Sequence, residues 1–379
     1  MKILYVSGMY PNPKYKQKGI FCHEQVKALI NLGHTVDVVV PVTLYDRTVK
    51  VKKWEYEGVN VRYVKFFKLP STAGFHNIGV NLYNSLRWSG IKFSSYDVFH
   101  ADAPLPTGIA MEKLGKKFNK PVVIHGHGLD VFSEGSYAGA SNVKLISKAS
   151  QKAYREADAI CGVSQKVLDK ISEKVDISGK AYVVFNGVDD KKFYPTEEKP
   201  TEKYILTVGN LIPLKGHDAT IKAFSKVAKE DSKVKLIIAG DGELKEGLIK
   251  LTEDLGIKDR VEFKGYIPYE EIAKLMRNAC LYCMPSWFEA LGCVYLEAMA
   301  SGIPTIGCIG NGIDEIIKDG VNGFLVEKDD TEKMAEIMRK AIHGELDSIA
   351  KQGLKDVKEN YTWASSAKSL EKVYGQVVK

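Results

Sequence analysis

The sequence lacks long hydrophobic runs and is poor in cysteine. None of its apolar stretches approaches the roughly 20 residues that a membrane-spanning helix needs. The opening stretch, MKILYVSGMYP, carries one Lys and is too short in apolar residues for a signal peptide. Only 6 of 379 residues are Cys, and they stand in apolar surroundings typical of reduced core thiols. These absences predict a cytoplasmic protein.

Three missing motifs narrow the possible functions. No G-x-G-x-x-G turn follows the first predicted strand, which runs instead into SGMYPNP. An NAD-dependent dehydrogenase, which needs that turn for its dinucleotide, is therefore disfavoured. Neither zinc-finger spacing nor an RNP-like aromatic strand is present, and we expect no nucleic-acid partner. The composition, with 45% hydrophobic and 27% charged residues, is that of a globular protein, and the length favours two domains.

The positive charge is concentrated in the first half. Residues 1–190 carry 26 Lys and Arg against 17 Asp and Glu, whereas the rest of the chain carries 28 against 30. A basic half favours an anionic partner, either a phospholipid surface or an acceptor that carries a lipid phosphate or a sugar phosphate. A solvated Lys-rich surface explains the same excess.

Part of that excess falls on two predicted helices. One carries Lys113, Lys116, Lys117 and Lys120, and the other carries Lys144, Lys148, Lys152 and Arg155, offset from Leu145, Ile146 and Ala149. A basic face beside an apolar one is typical of a helix that lies on an anionic bilayer. We therefore expect peripheral attachment to the inner face of the cytoplasmic membrane, with a solvated helix face as the alternative.

Short apolar runs alternate with amphipathic segments of helical length. This alternation predicts mostly parallel sheets covered by helices on both faces. It is interrupted by the polar, Pro-containing residues 189–203 and then starts again. We predict an α/β fold of two Rossmann-like domains, residues 1–188 and 204–360, joined by that linker and facing a central cleft. Ligands of such sheets bind beyond the carboxyl ends of the strands.

The densest chemical signal lies in residues 285–307, PSWFEALGCVYLEAMASGIPTIG. A strand ends at Pro285, a loop carries Glu289 and Gly292, and a helix that contains Glu297 begins near Cys293. The backbone N–H groups at the start of a helix favour an anion, and glycine permits close approach of a diphosphate. A carboxylate beside such a site suits the two hydroxyls of a ribose. The alternative is that both Glu residues are ordinary surface charges.

Other polar residues follow predicted strands in the same way. Lys215 stands after one strand as a point charge suited to phosphate. In the first half, Gly19 precedes a helix and offers another phosphate-facing turn. His100 and Asp102 end one strand and His127 ends another, so they are candidates for an acceptor pocket, with Asp130 three residues further on. Each of these residues also has a plain structural explanation, as a solvated loop charge or a core polar group.

Taken in order, these pieces resemble the GT-B-fold retaining glycosyltransferases of family 4, the group 1 transferases. The likeness covers nearly the whole chain. It includes Glu289 and Glu297 within a PS-x-x-E-x-x-G-x-x-x-x-E-A-M-A-x-G-x-P pattern, His127–Asp130 as HG-x-D, Asn186–Asp189 as NGVD and Lys215–Gly216 as KG. The closing segment, residues 361–379, resembles the family's final helix, which crosses back to the first domain.

The resemblance implies a hexosyltransferase-type enzyme that uses a UDP or GDP sugar and a glycan or lipid-linked acceptor, as in polysaccharide biosynthesis. It assigns the donor ribose to Glu297 and the donor sugar to Glu289 and His127, and it assigns the diphosphate to Lys215. The nucleobase would lie at Tyr266 and Ile267, and the turn at Gly19 would close over the phosphates. The backbone amides that would hold sugar and diphosphate are those of Ala290, Leu291, Gly292, Cys293 and Val294. The nucleotide sugar is a substrate, so no cofactor is implied.

The chain departs from the family at Asn210, where an Arg usually helps to grip the diphosphate. This leaves a second interpretation open, a non-catalytic nucleotide-sugar-binding protein with a degenerate site. The four residues Lys215, Glu289, Glu297 and His127 are intact and argue against it. No Asp-x-Asp occurs in the sequence, so the carboxylate pair that binds metal in the other common transferase fold is missing. We therefore predict metal-independent catalysis.

Overall fold

The computed structural model describes residues 1–69, 77–128, 143–196 and 202–378; for residues 143–145 it describes the backbone alone. Asp130, the side chains of Lys144 and Leu145, and residues 197–201 of the predicted linker therefore lie outside the described part. The chain divides into two compact units. The first comprises Met1–Asn186 together with Trp363–Lys379, and the second comprises Gly187–Thr362.

The first unit contains an eight-stranded sheet in the order β3-β4-β2-β1-β5-β6-β7-β8. Its strands are β1 Lys2–Val6, β2 Thr35–Thr43, β3 Lys53–Tyr56, β4 Val59–Phe66, β5 Val98–Asp102, β6 Val122–Gly126, β7 Ala159–Gly162 and β8 Ala181–Val183. All neighbouring strands are parallel except β3 and β4. Strands β1, β5, β6 and β7 are almost wholly buried, because helices cover both faces of a parallel sheet.

The helices of the first unit connect these strands. They are α1 Ile20–Asn31, α2 Ile78–Arg87, α3 Ile109–Phe118, α4 Val143–Glu156 and α5 Gln165–Ser172. Helix α5 begins at a capped residue, since the Ser164 hydroxyl accepts a hydrogen bond from the Val167 N–H at 3.3 Å. The carboxyl ends of β1, β2, β4 and β5 lie side by side, and this edge carries the polar residues predicted for an acceptor.

The second unit contains a six-stranded parallel sheet in the order β11-β10-β9-β12-β13-β14. Its strands are β9 Tyr204–Val208, β10 Lys235–Ala239, β11 Val261–Gly265, β12 Leu281–Cys283, β13 Thr305–Cys308 and β14 Phe324–Val326. Its helices are α6 His217–Ala228, α7 Lys245–Asp254, α8 Tyr269–Asn278, α9 Cys293–Ala300, α10 Thr331–Ile342 and α11 Asp347–Asn360. Residue Phe193, within the stretch predicted as a linker, is fully buried in this unit against Tyr269.

The last helix, α12 Trp363–Val377, belongs to the first unit. Its buried residues Ala367, Leu370, Val373 and Tyr374 join the hydrophobic core that α1 and the sheet form. This return of the chain brings residues from its two ends into one core.

Helix α4 carries the basic face that sequence analysis assigned to a bilayer. Lys148 and Lys152 are exposed, as that prediction requires. Of the predicted apolar face, however, Ile146 is 3% exposed and Ala149 is half-buried, and Ala153 on the same helix is fully buried within the first unit. The amphipathic period therefore reflects packing against α3 and the turn at residues 104–108, and Lys148 and Lys152 lie on the side that α4 exposes. Across the described ranges, we found no helix whose length and hydropathy would allow it to cross a membrane.

Candidate active site

Two loops of the second unit are tied together at the carboxyl edge of its sheet. The Trp287 N–H, in the loop after β12, donates to the Leu214 carbonyl in the loop after β9, at 3.1 Å. The Ser286 hydroxyl donates to the same carbonyl at 2.9 Å. Because β9 and β12 are adjacent parallel strands, the two loops leave the sheet side by side, which brings Lys215 to Glu289.

The Lys215 ammonium donates a hydrogen bond to the Glu289 carboxylate and forms an ion pair with it. Each side chain is 19% exposed, so the pair is half-buried but open to a ligand. The loop is held from the other side by Asn311, whose side-chain oxygen accepts the Glu289 N–H at 2.9 Å and whose amide group donates to the Ser286 carbonyl at 3.0 Å. Sequence analysis missed Asn311. Its only signal was the pair of glycines, Gly310 and Gly312, on either side of it.

The start of α9 provides the predicted anion-binding amides. Gly292 precedes the helix with φ of 82°, a left-handed conformation that side chains disfavour, and a Cβ there would lie 2.6 Å from the Tyr295 ring. The N–H groups of Gly292 and Val294 donate no hydrogen bond within the described residues. Free amides at the positive end of a helix dipole attract a diphosphate.

Glu297 lies one turn further along α9 and is 8% exposed. Its carboxylate accepts a hydrogen bond from the Tyr269 hydroxyl at 2.7 Å. Burial raises the pKa of Glu297 from its ordinary value of 4.5 to about 7, although the bond from Tyr269 and the charge of Lys192 oppose the rise. Tyr269 was not predicted from the sequence, because nothing in the PYEE segment marks it as different from other helix starts.

The remaining donor-side candidates lie at neighbouring strand ends of the same sheet. Tyr266 and Ile267 follow β11, and Tyr266 is 71% exposed. Asn210 follows β9 and is exposed, while its backbone carbonyl accepts a hydrogen bond from the His217 ring at 3.1 Å. Among the residues predicted for the donor site, Lys215 is therefore the one that supplies a positive charge.

The first unit holds His127, Asp102 and His100 in one buried network. The Asp102 carboxylate lies 3.0 Å from His127 Nε2, and the same oxygen accepts a hydrogen bond from the Tyr5 hydroxyl at 3.0 Å. His100 Nε2 lies 3.4 Å from that oxygen. On its other side, His100 Nδ1 is hydrogen-bonded at 2.8 Å to Tyr374 of α12. The network therefore runs from the last helix of the chain to His127.

This network keeps Asp102 ionised. Burial alone would raise the pKa of Asp102, but hydrogen bonds and charge from His100 and His127 outweigh it and hold the pKa well below its usual range. Burial lowers the pKa of both His100 and His125. A carboxylate accepts a hydrogen bond from an imidazole N–H, so Asp102, 3.0 Å from His127 Nε2, is placed to orient the His127 ring.

The same cluster includes groupings with the chemistry of metal ligands. The ligand atoms of His100, Asp102 and His125 lie within 4.8 Å of one another, as do those of Cys22, Asp102 and His127. Both groupings share Asp102, whose bonds to His127 and Tyr5 already use one carboxylate oxygen. Metal independence, inferred from the missing Asp-x-Asp, stays a prediction.

The structure thus groups the candidates in two sets. Lys215, Glu289, Glu297 and the α9 amides lie along one sheet edge of the second unit. His100, Asp102 and His127 lie together in the first unit, where Gly19 immediately precedes α1. Two mostly parallel α/β sheets, each with polar residues at its carboxyl edge and one with an anion-binding helix start, fit the predicted GT-B class.

Comparison with known proteins supports this class. The sequence pattern described as Glycosyltransferase Family 4 matches residues 19–192, and the one described as Glycosyl transferases group 1 matches residues 188–359. The chain belongs to the group 1, family 4, glycosyltransferases. An uncharacterized glycosyltransferase of Methanocaldococcus jannaschii is 29% identical over 99% of this chain and 98% of its own.

Solved structures share the fold at lower sequence identity. Sucrose-phosphate synthase from Thermosynechococcus elongatus has 18% identity and a TM-score of 0.80, with 99% of each chain covered. HepE of Anabaena, in complex with UDP and glucose, has 18% identity and a TM-score of 0.75 over 99% of this chain and 100% of that one. These likenesses confirm the predicted fold.

Proposed function

We propose that this glycosyltransferase is a retaining, metal-independent enzyme that moves a sugar from a UDP or GDP sugar to a glycan or lipid-linked acceptor. The observation that carries the proposal is the set of groups at one edge of the second sheet: the Lys215–Glu289 pair, the open amides of α9 and the buried Glu297. A cation, backbone donors and a buried carboxylate match a diphosphate followed by a ribose. The UDP bound by HepE is consistent with this choice.

Each group has a separate task in the proposed donor complex. Glu297 accepts hydrogen bonds from the two ribose hydroxyls, and Tyr266 and Ile267 border the nucleobase. Glu289 accepts hydrogen bonds from the sugar hydroxyls, and Lys215 beside it neutralises the diphosphate. The ion pair with Glu289 holds the Lys215 ammonium beside the loop before α9, at the place proposed for the diphosphate. Preorganised charge of this kind stabilises a transition state without a reorganisation cost.

The bond between the anomeric carbon and the diphosphate oxygen breaks while the acceptor oxygen attacks from the same face, and the acceptor proton passes to the departing diphosphate. Negative charge therefore grows on the phosphate oxygens, next to Lys215 and the amides of Gly292 and Val294. His127, held by Asp102, contributes from the first unit by contacting the donor sugar. Asp102, His100 and Asp130 belong to the acceptor side.

A ligand screen tests the donor class. UDP, GDP, ADP and NAD are compared by thermal shift, where a ligand present at 100 times its Kd stabilises the folded state by about 2.7 kcal/mol. We expect a response to UDP or GDP and none to NAD. Stabilisation by NAD alone, or by none of the four, would contradict the proposal.

A donor-hydrolysis screen across nucleotide sugars, with and without EDTA, tests metal independence, and NMR of the released or transferred sugar gives its anomeric configuration. Hydrolysis that EDTA abolishes and Mg²⁺ restores would overturn metal independence. Inversion at the anomeric carbon would overturn the retaining mechanism.

A further inference from the structure

A pocket of about 450 Å³ opens in the first unit at the carboxyl ends of β1, β2, β4 and β5. Most of its wall is apolar, formed by side chains that include Met9, Val42, Phe66, Ile78, Leu105 and Ile146. Its inner end reaches Asp102, which is 3.0 Å from His127. The pocket therefore joins an apolar interior to the polar network of the acceptor side.

Two kinds of polar group line this pocket. Asp102 uses one carboxylate oxygen for Tyr5 and His127, while its other oxygen is buried without a hydrogen-bond partner among the described residues. A hydroxyl of the acceptor can donate to that free oxygen. Lys18 and Lys68 also line the pocket and supply positive charge.

One carboxylate, that of Asp46, competes with a ligand for the cations of the pocket. The Lys18 ammonium forms no hydrogen bond or ion pair within the described ranges. Among the described residues of the pocket wall, Asp46 is the one carboxylate besides Asp102. It accepts hydrogen bonds from the Thr48 N–H at 2.7 Å and the Thr48 hydroxyl at 2.6 Å, and these bonds, together with the charges of Lys18 and Lys65, lower its pKa. An occupant with an apolar body and an anionic group fits these walls.

The surface next to the pocket is unusually apolar. Leu44 and Tyr45 follow β2 and are 54% and 52% exposed, and Phe67 and Leu69 follow β4 and are 51% and 43% exposed. The two segments lie together, since the Leu44 N–H donates to the Phe66 carbonyl at 3.0 Å. Exposed apolar side chains that gather in one place mark a binding surface. We call these four residues the apolar rim.

Cations accompany the apolar rim. Arg47 and Lys65 are exposed and Lys68 is half-buried, and residues 62–69 contain no Asp or Glu. Apolar side chains interspersed with Lys and Arg are what a protein surface needs to insert into an anionic bilayer, with electrostatic attraction added to the apolar burial.

We propose that the apolar rim and its cations form a lipid-binding surface, and that the acceptor is a membrane lipid with a phosphate group which enters the adjoining pocket. The part that concerns the acceptor rests on the proposed function. The lipid's apolar portion lies along the pocket wall and its phosphate meets Lys18 and Lys68. Its reacting hydroxyl donates to Asp102. The bilayer meets this edge of the sheet, and not α4.

Vesicle sedimentation tests the surface. The full chain is mixed with vesicles of phosphatidylcholine alone or with 30% phosphatidylglycerol, at low and at high salt. We expect binding that requires the anionic lipid and falls with salt. Leu44→Ser with Phe67→Ser, and separately Lys18→Glu with Lys68→Glu, should each weaken it at least about tenfold.

Two matched controls identify the surface. Ile30→Ser removes an exposed apolar side chain from α1, and Lys148→Glu with Lys152→Glu reverses the basic face of α4. Both should bind vesicles within about twofold of the unchanged protein. Loss of binding in the α4 variant with normal binding in the rim variants would overturn the proposal, as would equal binding to neutral vesicles.

Soluble probes test the pocket. Dihexanoyl phosphatidic acid, used below its micelle concentration, should bind at least tenfold more tightly than inorganic phosphate or octyl glucoside, and Lys18→Glu should abolish the difference. Equal binding of inorganic phosphate would show a simple phosphate site and overturn the lipid assignment. UDP binding is measured on the unchanged protein and on every variant. If the unchanged protein does not bind UDP, the proposed function is contradicted. If it binds UDP but does not bind the lipid, only the present inference is contradicted.

Discussion

Replacement of Glu297 by Gln should stabilise the protein and weaken donor binding at the same time. Glu297 is buried, and its pKa is raised from 4.5 to about 7. The folded state therefore resists ionisation of this carboxyl, while the unfolded chain ionises it freely above pH 4.5. The difference of about 2.5 pKa units corresponds to about 3 kcal/mol at 1.36 kcal/mol per unit. That destabilisation is absent below pH 4.5, grows as the pH rises to 7, and is constant above.

Gln has nearly the same shape and can still accept the hydrogen bond from Tyr269. The free energy of unfolding of the Glu297→Gln protein should thus exceed that of the unchanged protein by up to about 3 kcal/mol at pH 8 and by almost nothing at pH 4.5. Donor binding should change in the opposite direction, because charge-assisted hydrogen bonds to ribose are worth about 1.5–3 kcal/mol. UDP affinity should fall about 10-fold for Gln and up to about 100-fold for Glu297→Ala. In the unchanged protein, UDP affinity should decline as the pH drops below 7.

Calorimetric unfolding from pH 5 to pH 8 measures the first effect, and titration calorimetry with UDP measures the second. Glu336→Gln is a matched control, because Glu336 is exposed on α10 and pairs with Lys340 at 2.7 Å; it should leave UDP affinity unchanged. A Glu297→Gln protein that is less stable at pH 8, or one that binds UDP normally, would refute the reasoning.

Three further changes address the other groups. Lys215→Ala should lower kcat at least 10-fold with a smaller change in donor KM, because charge on the leaving diphosphate grows in the transition state. Asp102→Asn should lower kcat about 10- to 100-fold through His127 while UDP affinity stays unchanged, since a charged hydrogen bond of about 1.5–3 kcal/mol is lost. Gly312→Ala should destabilise the loop and weaken UDP binding, because its Cβ would lie 1.7 Å from the Ala290 carbonyl oxygen; denaturation and UDP titration measure both effects.

Each of these changes has a control or a contrary result. Lys222→Ala, which removes an exposed ion pair with Asp218 on α6, should leave kcat within about twofold. If Lys215→Ala behaves the same way, Lys215 is a surface residue. Equal losses of kcat and UDP affinity in Asp102→Asn would indicate general damage to the fold. A Gly312→Ala protein of normal stability would show that the loop has room for a Cβ.

Local pattern was sufficient to predict two mostly parallel sheets, but not the antiparallel edge strand β3. Buried strands in a parallel sheet need apolar residues on both faces, and each strand end needs a turn, so both leave a continuous signal in the sequence. The segment that contains Glu289, Gly292 and Glu297 was readable for the same reason, because strand, loop and helix follow one another within 23 residues, 285–307.

Only the tertiary structure determined which residues meet. Lys215 and Glu289 are 74 positions apart, Tyr269 and Glu297 are 28 apart, and His100 and Tyr374 are 274 apart. Such contacts depend on strand order and on the return of the last helix. No local pattern records either feature. The raised pKa of Glu297 has the same origin, since it comes from neighbours that bury the carboxyl.

The basic helix α4 shows most clearly what a local sequence pattern cannot predict. A helical period reveals which residues share a face, and it correctly separated Lys148 and Lys152 from Ile146. It does not reveal what covers the apolar face, because a protein core and a bilayer interior select the same side chains. The exposed apolar rim, in contrast, lies on strand ends without helical period. Leu44 and Phe67 stand out only after folding, since exposure depends on all the neighbouring chain and not on the residue itself.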